Sequence, residues 1–149
     1  MKVVTAESAG FCFGVRRAVN MVYEHAGNGN VYTYGPVIHN EEVVNDLTKR
    51  GVKVLNTEED IINAPRGTVI IRAHGVPEKI YHVIEKNGHK LVDATCPFVL
   101  KIHQIVRKAS AEGTYVVIVG DRNHPEVQGI KSCAENSTVI ADESEACIF

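Results

Sequence analysis

Six residues carry side chains able to bind a metal, hold an anion or move a proton. Each stands where a short β-branched run gives way to a helical pattern. Cys12 lies in Gly10-Phe-Cys-Phe-Gly-Val-Arg-Arg17, His39 in Gly35-Pro-Val-Ile-His-Asn40, and His74 in Arg72-Ala-His-Gly-Val-Pro77. Cys96 lies in Asp93-Ala-Thr-Cys-Pro-Phe98, and His124 and Glu126 share Asp121-Arg-Asn-His-Pro-Glu-Val127. In an α/β protein with a parallel sheet, ligands gather outside the carboxyl ends of the strands, so residues scattered along the chain can face one cleft. Two thiols, three imidazoles and a carboxylate suit an iron–sulfur or other metal site beside an anion pocket.

Pro97 at the first helical position makes Cys96 the N-cap, and Cys12 just precedes Val15-Arg16-Arg17. A thiol there feels the positive end of the helix dipole, which favours thiolate, the form that an iron–sulfur cluster or zinc requires. A single free cysteine is more commonly a small buried apolar residue, but two in matched turns favour ligation. Helix N-termini also offer free N–H groups to anions, and the donors of His39, His74 and His124 would suit phosphate or diphosphate. One such histidine alone reads as an ordinary turn residue; three at equivalent places make a pattern. Glu126 has two open readings: a first-turn carboxylate worth under about 1 kcal/mol, or a proton donor to the carbon skeleton of a bound anion. His25, His82, His89 and His103 lack strand-end placement and read as helix-face or strand-start residues, and Cys133 and Cys147 fall in helical stretches.

The elements that must position these residues alternate strand and helix. Strands are expected at Val3–Ala6, Val31–Tyr34, Val52–Leu55, Thr68–Ala73, His89–Ala94, Thr114–Val119 and Ser137–Ala141. Helices are expected at Val15–His25, Glu41–Arg50 with Asn40 as cap, Glu58–Ala64 with Thr57 as cap, and Pro77–Lys86 with Pro77 at the first position. Further helices should run over Pro97–Ala111, from Pro125 to about Ala134, and Glu143–Phe149. This alternation calls for repeated βαβ units and parallel sheets. The last helix is short and ends on apolar residues, so the chain reads as cut there.

Composition narrows the classes. Apolar residues make up 44% and charged residues 23% of the 149 positions, the balance of an ordinary globular protein. A net charge of −2 with few aromatics shows no nucleic-acid footprint. No apolar run is long enough to span a bilayer; Tyr115–Val119 reads as a buried strand. The chain opens directly on a strand pattern without a secretory signal. Four cysteines with no C-x-x-C point away from a disulfide framework or zinc ribbon and toward a reducing cytoplasm.

Taken together and in order, Gly10–Ala18, Gly35–Asn40, Ala73–Val76, Asp93–Pro97 and Gly120–Val127 closely resemble the motifs of the LytB family of 4-hydroxy-3-methylbut-2-enyl diphosphate reductases. The likeness covers essentially this whole chain and about the first half of a family member. It implies three pseudo-equivalent α/β units around a central 4Fe-4S cluster. Two are expected here, the first at 1–95 and the second, incomplete, at 96–149, with the strand at 1–6 belonging with the third unit. The resemblance implies that Cys12 and Cys96 are two of three cluster ligands, the third lying outside this chain. It implies that His39, His74 and His124 line the diphosphate pocket and that Glu126 delivers a proton as the substrate hydroxyl leaves as water. Electrons would come from a ferredoxin- or flavodoxin-like donor, giving isopentenyl and dimethylallyl diphosphates in the methylerythritol phosphate route. This chain alone is then expected to be inactive. Two other classes compete: a non-redox α/β diphosphate-binding module and a Cys/His zinc hydrolase, although no H-E-x-x-H helix accompanies the histidines.

Overall fold

The computed structural model describes residues 1–148; Phe149, the end of the last expected helix, lies outside the described residues. The elements run α1 (Phe13–His25), β1 (Val31–Tyr34), α2 (Glu41–Lys49), β2 (Val52–Leu55), α3 (Glu58–Asn63), β3 (Thr68–Ile71) and α4 (Glu78–Lys86). They continue as β4 (Lys90–Asp93), α5 (Pro97–Ala111), β5 (Val116–Val119), α6 (Pro125–Lys131), β6 (Ser137–Ile140) and α7 (Glu143–Ile148). Every strand pairing is parallel. One sheet has the order β2-β1-β3-β4, and the other consists of β5 and β6.

Alternation of side chains across the pleat divides the core of the first sheet into two layers. Val31 and Ile70 face Ala18, Val19 and Val22 of α1 and Leu47 of α2. Tyr32, Val69 and Ile71 face Ile61 of α3 and Ile80 and Ile84 of α4. With both faces covered, the central strands are apolar almost throughout, and each fully buried Ile contributes about 1.5–3 kcal/mol. Helix ends are set by local chemistry. Asn40 accepts a hydrogen bond from the Val43 N–H at 3.0 Å, and Thr57 and Asp60 form a reciprocal capping box.

Several expectations are corrected. Val3–Ala6 forms no strand: residues 1–12 are all exposed, Val3 and Val4 by 78% and 77%, because no sheet edge pairs with them. Strand propensity without a neighbour to complete the ladder makes no strand. Pro77 stands at the N-cap of α4, one position before the helix. Tyr115–Val119 is not a buried strand. Val116–Val119 belongs to a sheet of two strands, and Val117 and Val119 are exposed at 43% and 79%. His103 lies on α5 and His89 just before β4, and both are buried, at 3% and 6% exposed, with His89 Nε2 2.9 Å from the Ile61 carbonyl. Cys133 is buried just past the end of α6.

The cap at Asn40 also sets where α2 begins, immediately after His39. Asn40→Ala is expected to cost about 1 kcal/mol of stability, measured as the shift of the urea midpoint at constant slope.

Candidate functional site

Register places the site. Tyr34, Ile71 and Asp93, the last residues of β1, β3 and β4, lie directly opposite one another. The loops that follow therefore leave the sheet on one line. After β1 the chain crosses to β2 over the face that α2 covers; after β3 it crosses to β4 over the face that α4 covers. The β1 and β3 loops diverge to opposite sides, and such a switch point opens a crevice at the carboxyl ends of the strands. His39 leaves on one loop and His74 on the other. Gly35 turns the first with φ +70°, and Gly75 turns the second with φ +75°.

His124, the N-cap of α6, joins them from the second sheet's side. The ring centroids of His39 and His74 are 4.6 Å apart, those of His74 and His124 5.8 Å, and those of His39 and His124 6.1 Å. His124 Nδ1 accepts the Glu126 N–H at 3.2 Å, which leaves the proton of the neutral ring on Nε2 as a donor. Glu126 is half-buried in the first turn of α6, and among the described residues its carboxylate makes no ion pair. His74 is half-buried, and among the described residues its Nδ1 has no hydrogen-bond partner. Burial first, then the neighbouring His39, Arg72 and His124, pushes the His74 pKa down to about 4. Three imidazoles this close cannot all carry charge cheaply in isolation, but an anion between them would be met by several N–H donors.

Cys96 caps α5 half-buried, and its N–H donates to the Ala73 carbonyl at 2.9 Å, one residue before His74. Its Sγ occupies the space where a side chain at Gly14 would begin, so α1 and α5 meet through that missing Cβ. Arg17 of α1 fastens the contact, donating to the carbonyls of Thr95 at 3.2 Å and Asp93 at 3.4 Å. Cys12 caps α1 and is exposed. All four cysteines are free thiols. Among the described residues, no three His, Cys, Asp or Glu side chains converge as a metal-binding group. The imidazoles are thus brought together, with Cys96 anchored beside them, whereas the two thiols form no complete ligand set.

Sequence reasoning missed the support of the Cys96 loop. Asp93 accepts the Thr95 N–H at 2.9 Å, the Thr95 hydroxyl, and the Tyr81 hydroxyl at 3.0 Å. Burial and the Asp93 carboxylate push the Tyr81 hydroxyl up to about 12, so it remains a donor. Asp93 and Thr95 sit inside a motif already singled out, where attention to Cys96 alone passed over them. His103 could have been found from its spacing, since it shares the inward stripe of α5 with Val99 and Val106.

A doubly wound parallel sheet with imidazoles at its switch point, and helices beside them that each begin after a cysteine, defines an α/β protein with an anion-suited cleft. A family model described as LytB protein matches residues 3–148. The chain belongs to the LytB family. A 4-hydroxy-3-methylbut-2-enyl diphosphate reductase of Geobacter sulfurreducens is 47% identical over 146 residues, covering 97% of this chain and 51% of that protein. The enzyme of the same name from Thermoanaerobacter sp. (strain X514) is 42% identical over 148 residues, again with 97% and 51% covered. A solved structure of (E)-4-hydroxy-3-methyl-but-2-enyl diphosphate reductase superposes with a TM-score of 0.79 at 40% identity, covering 96% of this chain and 52% of that one. The Plasmodium falciparum E-1-hydroxy-2-methyl-but-2-enyl-4-diphosphate reductase gives a TM-score of 0.89 at 27% identity, with 96% and 45% covered. The chain spans about half the length of the curated relatives it matches.

The depressed pKa of His74 has a thermodynamic consequence. Below pH 6.5 the unfolded chain takes up a proton that folded His74 accepts only near pH 4, so stability falls as pH falls through that window. His103, also lowered by burial, acts in the same direction. Asp46, Asp60, Asp142 and Glu145, all held below their ordinary values of 3.8 to 4.5, add their loss at still lower pH. His74→Asn is expected to flatten, without abolishing, the decline between about pH 6.5 and 4.5, as read by urea denaturation at several pH values.

Proposed function

We propose that this chain is the N-terminal portion of a reductase that removes the hydroxyl of 4-hydroxy-3-methylbut-2-enyl diphosphate, giving isopentenyl and dimethylallyl diphosphates. The observation that carries the reading is the imidazole triangle, 4.6 to 6.1 Å on its sides, at the switch point beside the Cys96 cap. In this reading residues 1–95 are one α/β unit, 96–149 are part of a second, and a third lies outside the chain. The apolar residues left bare on α5 and β5, Phe98, Ile102, Ile105, Val117 and Val119, are where further polypeptide would pack.

His39, His74 and His124 hold the diphosphate, with the His124 Nε2–H as one fixed donor. The anion's charge favours protonation of the neighbouring rings and so offsets the cost of gathering them. Glu126, half-buried beside His124, gives its proton to the leaving hydroxyl, which departs as water. The reaction breaks one C–O bond and consumes two electrons and two protons, one proton leaving in the water and the other ending on carbon. The thiols present fit an iron–sulfur group in kind, being helix-capping cysteines of which Cys96 lies against the bare backbone of Gly14. They fall short in number. Cys12 and Cys96 would hold a 4Fe-4S cluster together with a cysteine from outside this chain, and that cluster when bound supplies the electrons. A ferredoxin- or flavodoxin-like protein is the electron source in this reading. Free thiols suit the reducing cytoplasm, and no helix of the described residues is long and apolar enough to cross a membrane.

Inorganic diphosphate titrated into the 149-residue chain is the direct test. His39→Ala and His124→Ala should each weaken binding about tenfold, the scale of one charge-assisted hydrogen bond, while Cys12→Ser and Cys96→Ser leave it intact. After anaerobic reconstitution the chain is expected to hold no stable cluster, by iron and sulfide analysis, and to show no reductase turnover. Turnover by a brown 149-residue chain would overturn the incomplete-site reading, and zinc without sulfide would favour a hydrolase.

A further inference from the structure

Both glycines that follow the site histidines most closely, Gly75 and Gly129, present bare backbone to one buried ring. His103, on the inward stripe of α5, is 3% exposed. A Cβ at Gly75 would lie 3.1 Å from His103 Cε1, and one at Gly129 would lie 3.3 Å from Nε2 and 3.5 Å from Cε1. The Gly129 position in turn faces the His74 carbonyl, 3.9 Å from where its Cβ would stand. The ring therefore fills a slot between the His74–Gly75 loop and α6, the helix that His124 caps. The 3.1 Å and 3.3 Å approaches to the ring are closer than an added methyl would comfortably allow, so slot and ring are fitted to each other.

The chemistry of the ring points the same way. Nε2 is buried without a hydrogen-bond partner among the described residues, and an orphaned polar group in a native core asks for a reason that an aliphatic residue would not meet. Burial, the largest influence, and Arg107 both disfavour the imidazolium, Asp93 favours it, and the net effect lowers the ring's pKa and favours the neutral form. It acts as a flat, uncharged spacer. The ring bears on the imidazole triangle through the loop and helix that it separates.

We infer that His103 is a positioning residue that sets the distance between His74 and His124, and so the span of the anion site; this rests on the anion-binding reading above. The test uses the 149-residue chain with inorganic diphosphate. His103→Ala should weaken binding about tenfold, His103→Gln, which keeps a polar group near Nε2, should restore most of it, and Gly129→Ala should weaken it by intrusion into the slot. Residues sharing a slot are energetically coupled, so the Gly129→Ala loss should shrink when His103→Ala is added. Wild-type affinity in His103→Ala, or losses that simply multiply in the double variant, would overturn the inference. If His103→Ala does not fold, Gly129→Ala decides: unchanged affinity there overturns it. If the wild-type chain binds no diphosphate, the anion reading itself fails. The spacing role is then read from the imidazole NMR resonances of His74 and His124 in the free chain. Gly129→Ala must move both to support it, and leaving both unmoved overturns it.

Discussion

The level ends of β1, β3 and β4 govern where everything else can go. Because Tyr34, Ile71 and Asp93 stand in register, the three loops that follow begin on one line. Because the crossovers from β1 to β2 and from β3 to β4 run in opposite directions along the sheet, the loops after β1 and β3 part to opposite faces. The gap between them is topological and needs no special side chain to hold it open. What the local sequence adds is placement: Gly35 and Gly75 permit the left-handed turns that bring His39 and His74 to that gap. A slip of one residue in β3 would move Ile70 and Ile71 to the wrong core layers and carry His74 with them, so packing and site share one constraint.

A second fastening ties this sheet to the elements around it. The Cys96 N–H reaches the Ala73 carbonyl, Arg17 reaches back to Thr95 and Asp93, and Gly14 yields its Cβ space to the Cys96 thiol. These contacts join α1, the β3 loop, the β4 loop and α5 at one corner. His103 then joins α5 to α6, which brings His124 within ring-contact range of His39 and His74. Cys96 apart, the neighbours that gather the histidines are given no part in holding a metal or an anion. Truncating any one of these supports should be felt at the imidazoles before it is felt in the core.

Much of this was legible beforehand. Asn40, Thr57 and Cys96 cap the expected helices because capping is written in a few adjacent residues. The strands at 31–34 and 52–55 and the helix at 97–111 fall where expected, since β-branched runs, caps and glycines all agree there. The failures share a cause. Val3–Ala6 has strand composition but no partner edge, and Val117 and Val119 have core composition but no covering layer. His103 reads from the sequence only as a helix-face residue, because residue type alone says nothing about which face of α5 turns inward. Asp93 and Thr95 went unremarked because their role is to hold a loop, which has no signature of its own.

The sequence by itself determined the alternation of strands and helices, the caps, and the residue types standing at the strand ends, because each depends on neighbours within a few positions along the chain. It also carried the family resemblance, which the comparisons bear out. Only the tertiary structure decided that three imidazoles from loops far apart in the chain meet within ring contact, that Cys96 is pinned beside them while Cys12 stays exposed, and that His103 is buried between two glycines. Those outcomes depend on strand register and on which face each crossover covers, and both are set by long-range pairing and packing that no local pattern encodes.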